Sequence, residues 1–196
     1  MSDTWLIIGL GNPGARYAGT RHNIGQLVID ELLERTGSRL GSTKARAQAA
    51  TTRLPLPAGG PGPRSILVKS STYMNDSGIP VGQLARFNSV PADHVVAIHD
   101  DVDLPYESIR LKLGGGEGGH NGLRSISSHL GTKDYLRVRA GVGRPPGRMD
   151  TADYVLQRFS AAERTTLPIF VGELADAVEA LVSEGLQAAQ QRFHSR

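Results

Sequence analysis

Val95-Val96-Ala97-Ile98 is an unbroken apolar run that ends directly in His99-Asp100-Asp101-Val102-Asp103. A run without polar alternation suits a strand buried on both faces, and such a strand needs cover on both sides. Trp5-Leu6-Ile7-Ile8-Gly9-Leu10 reads the same way. It is too short for a membrane span, and no basic segment precedes it as in a secretory leader. Between and after these strands lie helical spacings. Ile24, Leu27, Val28 and Leu32 predict a helix over 24–35 closing near Gly37, and 78–87 predicts a short helix with Pro80 in its first turn. A helix is expected over 122–130, and Ile169, Leu174, Ala177, Val178 and Leu181 predict one long helical stretch over 161–192.

Further strands are expected at 45–54, 65–69, 108–113 and 135–142. The Pro- and Gly-rich segment 55–63 is expected to form a long, mobile hairpin loop. The hairpin, and the alternation around Leu111 and Leu113, call for some antiparallel pairing. The expectation is therefore an α/β fold: one domain, 1–196, with a twisted mixed β-sheet covered by helices on both faces.

Composition narrows the chemistry. With 196 residues the chain can bury one substantial core, and two full domains would be cramped. It has no cysteine, which removes disulfides, thiol nucleophiles and thiolate metal sites, and suits a cytoplasmic protein. Residues 1–150 hold 18 Lys and Arg against 13 Asp and Glu, whereas 151–196 hold 4 against 6. A basic body with an acidic tail permits a polyanionic partner.

Gly9-Leu10-Gly11-Asn12-Pro13-Gly14 matches the G-x-G-x-x-G of dinucleotide-binding folds. That reading fits poorly on placement. The helix should begin inside the motif to meet a pyrophosphate, yet the periodic stretch starts only near Ile24. The acidic candidates Asp30 and Glu31 fall within that helix. The glycines then read as a turn beside Asn12, with His22 shortly after, where Thr20 can cap the coming helix. An imidazole at a helix N-terminus is kept neutral more easily, as a general base requires. A carboxylate from 100–103, at the end of a buried strand, can orient it. The same acids can be read as a metal site or as loop residues bonding their own backbone, although no metal-ligand spacing supports the former.

Two further segments stand out. In Thr72-Tyr73-Met74-Asn75-Asp76-Ser77-Gly78, Asn75 can hydrogen-bond a substrate amide over an apolar floor of Tyr73 and Met74; the plainer reading is core plus helix cap. The glycine run 114–119, followed by His120-Asn121, lets backbone approach a ligand or a lid move. It lacks the Lys-Ser/Thr of a phosphate-binding loop, because His120 and Asn121 stand there.

Taken together and in order, these pieces resemble bacterial peptidyl-tRNA hydrolases. The matching motifs, between Ile8 and about Phe159, are G-L-G-N-P-G with Y-x-x-T-R-H-N-x-G, T-Y-M-N-x-S-G, H-D-x-x-D-L-P, K-L-G-G-G-x-G-G-H-N-G-L-R-S-I and L-G-x-x-x-Y-x-R-x-R-x-G-V-G-R-P. The resemblance implies a monomeric enzyme without metal, cofactor or obligate protein partner. It would cleave the ester between a peptide and the 3′-terminal adenosine of tRNA, recycling tRNA from peptidyl-tRNA released by ribosomes. It implies His22 as the catalytic histidine, oriented by Asp100, with Asn12, Asn75 and Asn121 at the substrate. It further implies Tyr17, Tyr73 and Met74 along the peptide and Lys112 and Arg139 on tRNA phosphates. The chain departs from the family pattern at Ser70, where proline is usual, at Glu107, where glycine is usual, and in a hairpin at 55–63 that looks longer than typical. A non-catalytic RNA-binding module and a nucleotide-dependent oxidoreductase are the competing functional classes.

Overall fold

The computed structural model describes residues 3–194. The outer ends of the expected 1–196 domain, residues 1–2 and 195–196, lie outside the described residues. Seven strands form one mixed sheet: β1 (Trp5–Gly9), β2 (Gly41–Ser42), β3 (Ala47–Pro55), β4 (Pro61–Ser70), β5 (Val95–Asp101), β6 (Ile109–Leu113) and β7 (Leu136–Gly141). Their spatial order is β2-β3-β4-β1-β5-β7-β6. The central four, β4, β1, β5 and β7, are parallel; β2, β3 and β6 add antiparallel pairing at the two sides.

Six helices accompany the sheet: α1 (Ile24–Thr36), α2 (Gly78–Phe87), α3 (Asn121–Leu130), α4 (Thr151–Val155), α5 (Ala161–Glu184) and α6 (Leu186–Phe193). Alternation along each buried strand sorts the core into two layers. Ile7, Leu67, Val96, Ile98 and Val138 meet Val28 and Leu32 of α1 and Leu174 and Val178 of α5. Leu6, Ile8, Ile66, Val68 and Ala97 meet Val81 and Leu84 of α2 and Leu123 and Ile126 of α3. The mixed sheet covered on both faces is the architecture expected from the sequence.

Three local expectations are corrected. The strands of the hairpin run on through Pro55 and Pro61, leaving a turn over 56–60 closed by Leu56 N–H donating to Gly60 O at 3.1 Å. β1 pairs with β4 only from Ser65 onward, so Pro61 and Pro63 lie where no neighbour on that side needs an N–H. The C-terminal helical stretch divides at Gly185, whose φ of 91° ends α5 before α6 begins. Thr20 precedes the helical region, but its hydroxyl donates to Tyr17 O at 2.8 Å and caps nothing.

Two contacts place the ends of the elements. Adjacent to β1 and β5, a Cβ on Gly25 would lie 2.3 Å from Ile98 O, and one on Gly9 would lie 2.2 Å from Gly25 O. α1 therefore starts backbone-to-backbone against the carboxyl ends of both strands. At the β6 edge, Leu111 N–H donates to His194 Nε2 at 2.8 Å and Leu111 O accepts from Gln190 Nε2 at 2.9 Å. Side chains from α6 and just beyond it thus bond the outer backbone of this edge strand.

Candidate active site

After β1 the chain builds β2, β3 and β4 on one side of it, and after β4 it crosses to β5 on the other, so a crevice opens where the strand order reverses. A cleft of about 660 Å³ lies there, lined by Asn12, His22, Tyr73, Met74, Asn75, Asp100 and Asn121 among others. Seven of the ten residues singled out from the sequence are thereby brought together. Tyr17 stands at the rim, edge-on to Tyr73 with ring centroids 6.3 Å apart. Lys112 and Arg139 lie outside the cleft on the β6–β7 side of the sheet. Arg139 Nε pairs with Asp101 at 2.8 Å, and Lys112 has its pKa lowered by burial and by Arg139 and Arg137.

His22 sits in a 3₁₀ turn, 21–23, immediately before α1. Its Nδ1 lies 2.9 Å from Asp100 Oδ2 and 3.0 Å from Oδ1. Burial disfavours the charged imidazole, but the Asp100 charge and its hydrogen bond outweigh burial, and the pKa is raised above 6.5. The helix N-terminus expected to keep His22 neutral is therefore overruled by the carboxylate. Asp100 is buried, which favours protonation, yet His22 and His120 hold its pKa well below the usual carboxylate range.

Asn12 is fixed at every backbone atom that could move it. Its N–H donates to Asn23 Oδ1 and its carbonyl accepts from Asn23 Nδ2, both at 2.9 Å. Its own side-chain oxygen accepts from Met74 N–H at 2.7 Å. The amide orientation is thus determined, and Nδ2 is left as the group available to a ligand, as a donor only. Met74 is buried, whereas Tyr73 is 63% exposed. Neither Asn75 nor Asp76 caps α2; Ser77 holds that position and donates to Met74 O at 2.7 Å.

His120, noted in the sequence only as what stands where a phosphate loop has lysine, is part of this cluster. Its Nε2 lies 2.8 Å from Asp100 Oδ1, and its Nδ1 accepts from Gly122 and Leu123 N–H at the start of α3. His22, Asp100 and His120 are close enough together to be read as metal ligands. The bonds argue otherwise for this arrangement: an Nδ1 that accepts from two amides leaves the proton on Nε2, which then has no lone pair to give. His99 packs edge-on to His120 at 5.1 Å, and burial lowers its pKa to about 3.

The supporting shell was mostly invisible in sequence. Asn23 could have been suspected only by knowing that the turn returns to Asn12. Arg21, next to His22, is buried and ties the turn to the C-terminal helices through Tyr154 O at 3.2 Å and Glu163 at 2.9 Å. Arg137 is fully buried; it donates to the carbonyls of Gly115, Gly116 and Lys133. Those bonds hold the first part of the glycine run in a defined path. On the far wall α4, which was not anticipated, contributes Ala152 and Val155, with Leu156 following.

Comparison with known proteins agrees with the motifs. The family model described as peptidyl-tRNA hydrolase matches residues 6–196. A peptidyl-tRNA hydrolase of Pseudarthrobacter chlorophenolicus is 62% identical over 194 residues, covering 99% of this chain and 97% of the relative. One of Paenarthrobacter aurescens is 58% identical, covering 99% and 98%. The crystal structure of peptidyl-tRNA hydrolase from Acinetobacter baumannii superposes with a TM-score of 0.87 at 32% identity, covering 98% of this chain and 95% of that one.

Proposed function

The chain belongs to the peptidyl-tRNA hydrolase family, and on that premise we propose that it cleaves the peptide–tRNA ester by a water activated at His22. The observation that carries this reading is the His22–Asp100 pair. With Nδ1 turned to the carboxylate at 2.9 Å, Nε2 is the nitrogen left for chemistry at the cleft. In its neutral form His22 takes a proton from water as the oxygen attacks the ester carbonyl. The water's O–H bond breaks, a C–O bond forms, and the carbonyl oxygen becomes an oxyanion. Collapse expels the ribose oxygen, which takes up the proton from His22. A positioned base supplies ~10²–10⁴-fold, so charge stabilisation must supply more.

Asn12 Nδ2, held by the bond of its amide oxygen to Met74, is the assigned oxyanion donor. Asn75 and Asn121 orient the substrate, and Tyr17, Tyr73 and Met74 meet the peptide. Lys112 and Arg139 contact tRNA phosphates, giving recognition by charge and shape. No nucleophilic side chain is assigned, so the reaction is direct hydrolysis without an acyl-enzyme. The protein works as a monomer in the cytoplasm without metal or cofactor, and its role is to recover tRNA from peptidyl-tRNA released by ribosomes. Among the described residues no helix is long and apolar enough to cross a membrane.

The test is incubation with N-blocked aminoacyl-tRNA, with and without chelator. Release of the blocked amino acid in both arms is expected. Release abolished by chelator and restored by a divalent ion would overturn metal independence, and no release in either arm would overturn the hydrolase reading.

A further inference from the structure

We propose that His120 is a positioning residue for this reaction, with one ring nitrogen fixing the start of α3 and the other holding the Asp100 carboxylate for His22. The inference rests on the reading of His22 as the base. Gly122 N–H and Leu123 N–H approach His120 Nδ1 at 3.1 and 3.4 Å. Both are donors, so Nδ1 is the acceptor and Nε2 carries the hydrogen. That hydrogen points at Asp100 Oδ1, 2.8 Å away. The tautomer of His120 is thus dictated by the helix it caps, and the helix dictates a donor aimed at Asp100.

Asp100 consequently receives two N–H groups from elements far apart in the chain. Oδ1 takes the His120 bond and shares the His22 bond with Oδ2. Rotation of the carboxylate away from His22 would break the His120 bond as well. The second donor also offsets part of the negative charge that His22 feels, which moderates how tightly Asp100 retains the proton on His22. His22 and His120 do not touch as donor and acceptor; their rings are tilted, with centroids 5.0 Å apart.

The other charged groups at this cleft have partners of their own. Asp101 pairs with Arg139, Asp103 with Arg144 and Glu117 with Lys133. Arg21, beside His22, pairs with Glu163 of α5. On the α4 side Asp150 caps Ala152 N–H. His99, on β5, keeps its Nδ1 on the Asp100 backbone carbonyl at 2.8 Å. Asp100 is therefore the carboxylate that pairs with His22, and His120 is the neighbour that shares it.

The two jobs can be separated by substitution. An asparagine amide reaches about as far as histidine Nδ1, and asparagine is a good helix cap. His120→Asn therefore keeps the α3 cap and loses the donor to Asp100. A glutamine amide reaches about as far as Nε2, so His120→Gln keeps a donor and loses the cap. The measurements are the pH profile of kcat/KM on N-blocked aminoacyl-tRNA, the thermal midpoint, and the His22 titration followed by its ring-proton NMR signal. The Asn variant is expected to keep a thermal midpoint near wild type. Its acid limb and His22 titration should move to higher pH by about half a unit or more. Its kcat should fall roughly tenfold or more. The Gln variant is expected to melt lower but keep the wild-type limb. An Asn variant with unchanged limb and kcat overturns the proposal, as does a Gln variant whose limb moves with the Asn variant. Should the Asn variant not fold, the limb of the Gln variant decides. His22→Ala is run beside them: full turnover there overturns the base reading itself, whereas loss of turnover with an unmoved Asn limb overturns only the role of His120.

Discussion

His22 Nδ1 and Asp100 Oδ2 lie 2.9 Å apart although 78 positions separate them in the chain. The first comes from the turn that enters α1 and the second from the end of β5, so the pair exists only once the sheet is formed. Replacement of His22 by Ala removes the proposed base and leaves Asp100 its bond from His120. Turnover on peptidyl-tRNA is expected to fall by ~10²-fold or more while the thermal midpoint holds near wild type.

The same pair fixes a pH dependence. Because the pKa of His22 is raised, activity should be lost as pH falls through a midpoint above 6.5. Asp100→Asn removes the cause of the rise and leaves burial to act alone. The acid midpoint should move down even as kcat drops by roughly 10²–10⁴-fold. A profile of kcat/KM against pH checks both, and an Asp100→Asn midpoint at or above that of wild type contradicts the assignment.

Asn12→Asp keeps an oxygen for Met74 N–H but exchanges the Nδ2 donor for a second acceptor. Loss of one oxyanion donor costs ~10²–10³-fold in kcat. A variant that binds uncharged tRNA normally and hydrolyses peptidyl-tRNA within tenfold of wild type would remove Asn12 from this role.

Lys112→Ala should act on binding rather than chemistry, since Lys112 lies outside the cleft. KM for peptidyl-tRNA is expected to rise with kcat little changed. The slope of log affinity against log salt should flatten by about one unit. Titration at several salt concentrations distinguishes this from a general loss of folding.

His99 carries a stability signature. Its folded pKa, about 3, lies below the unfolded value of 6.5, so the unfolded chain binds the extra proton between those limits. Its contribution is complete above 6.5 and declines as pH falls towards 3, by up to ~1.4 kcal/mol per pH unit. Denaturant midpoints for His99→Phe should fall less steeply over that window than those of wild type.

Much of this architecture was legible in the sequence because apolar runs such as Val95–Ile98 have one comfortable place in a sheet. Asn12, His22, Asp100 and Asn75 were legible as a group because each belongs to a local motif. The strand ends at the hairpin are hidden because Pro55 and Pro61 read as breakers, and only the register shows that Pro61 lies where no neighbour on the β1 side needs an N–H. Gly185 was overlooked because the periodicity before and after it is helical. His120 shows no role in the sequence for a different reason. Its significance depends on which nitrogen carries the proton, and that follows from where α3 begins, a fact no spacing contains.

Arg137 has a consequence of another kind. Among the described residues its guanidinium forms no salt bridge; carbonyl oxygens of Gly115, Gly116 and Lys133 receive it. Burial and Arg139 lower its pKa, from a starting value so high that the group stays protonated at any pH at which the protein works. Dipoles have offset this charge without cancelling it. A lysine at the surface can swing aside, be screened by salt or titrate, whereas this cation is fixed within the sheet. The face bearing Lys112 and Arg139 thus stands over a cation that can neither swing aside nor titrate away.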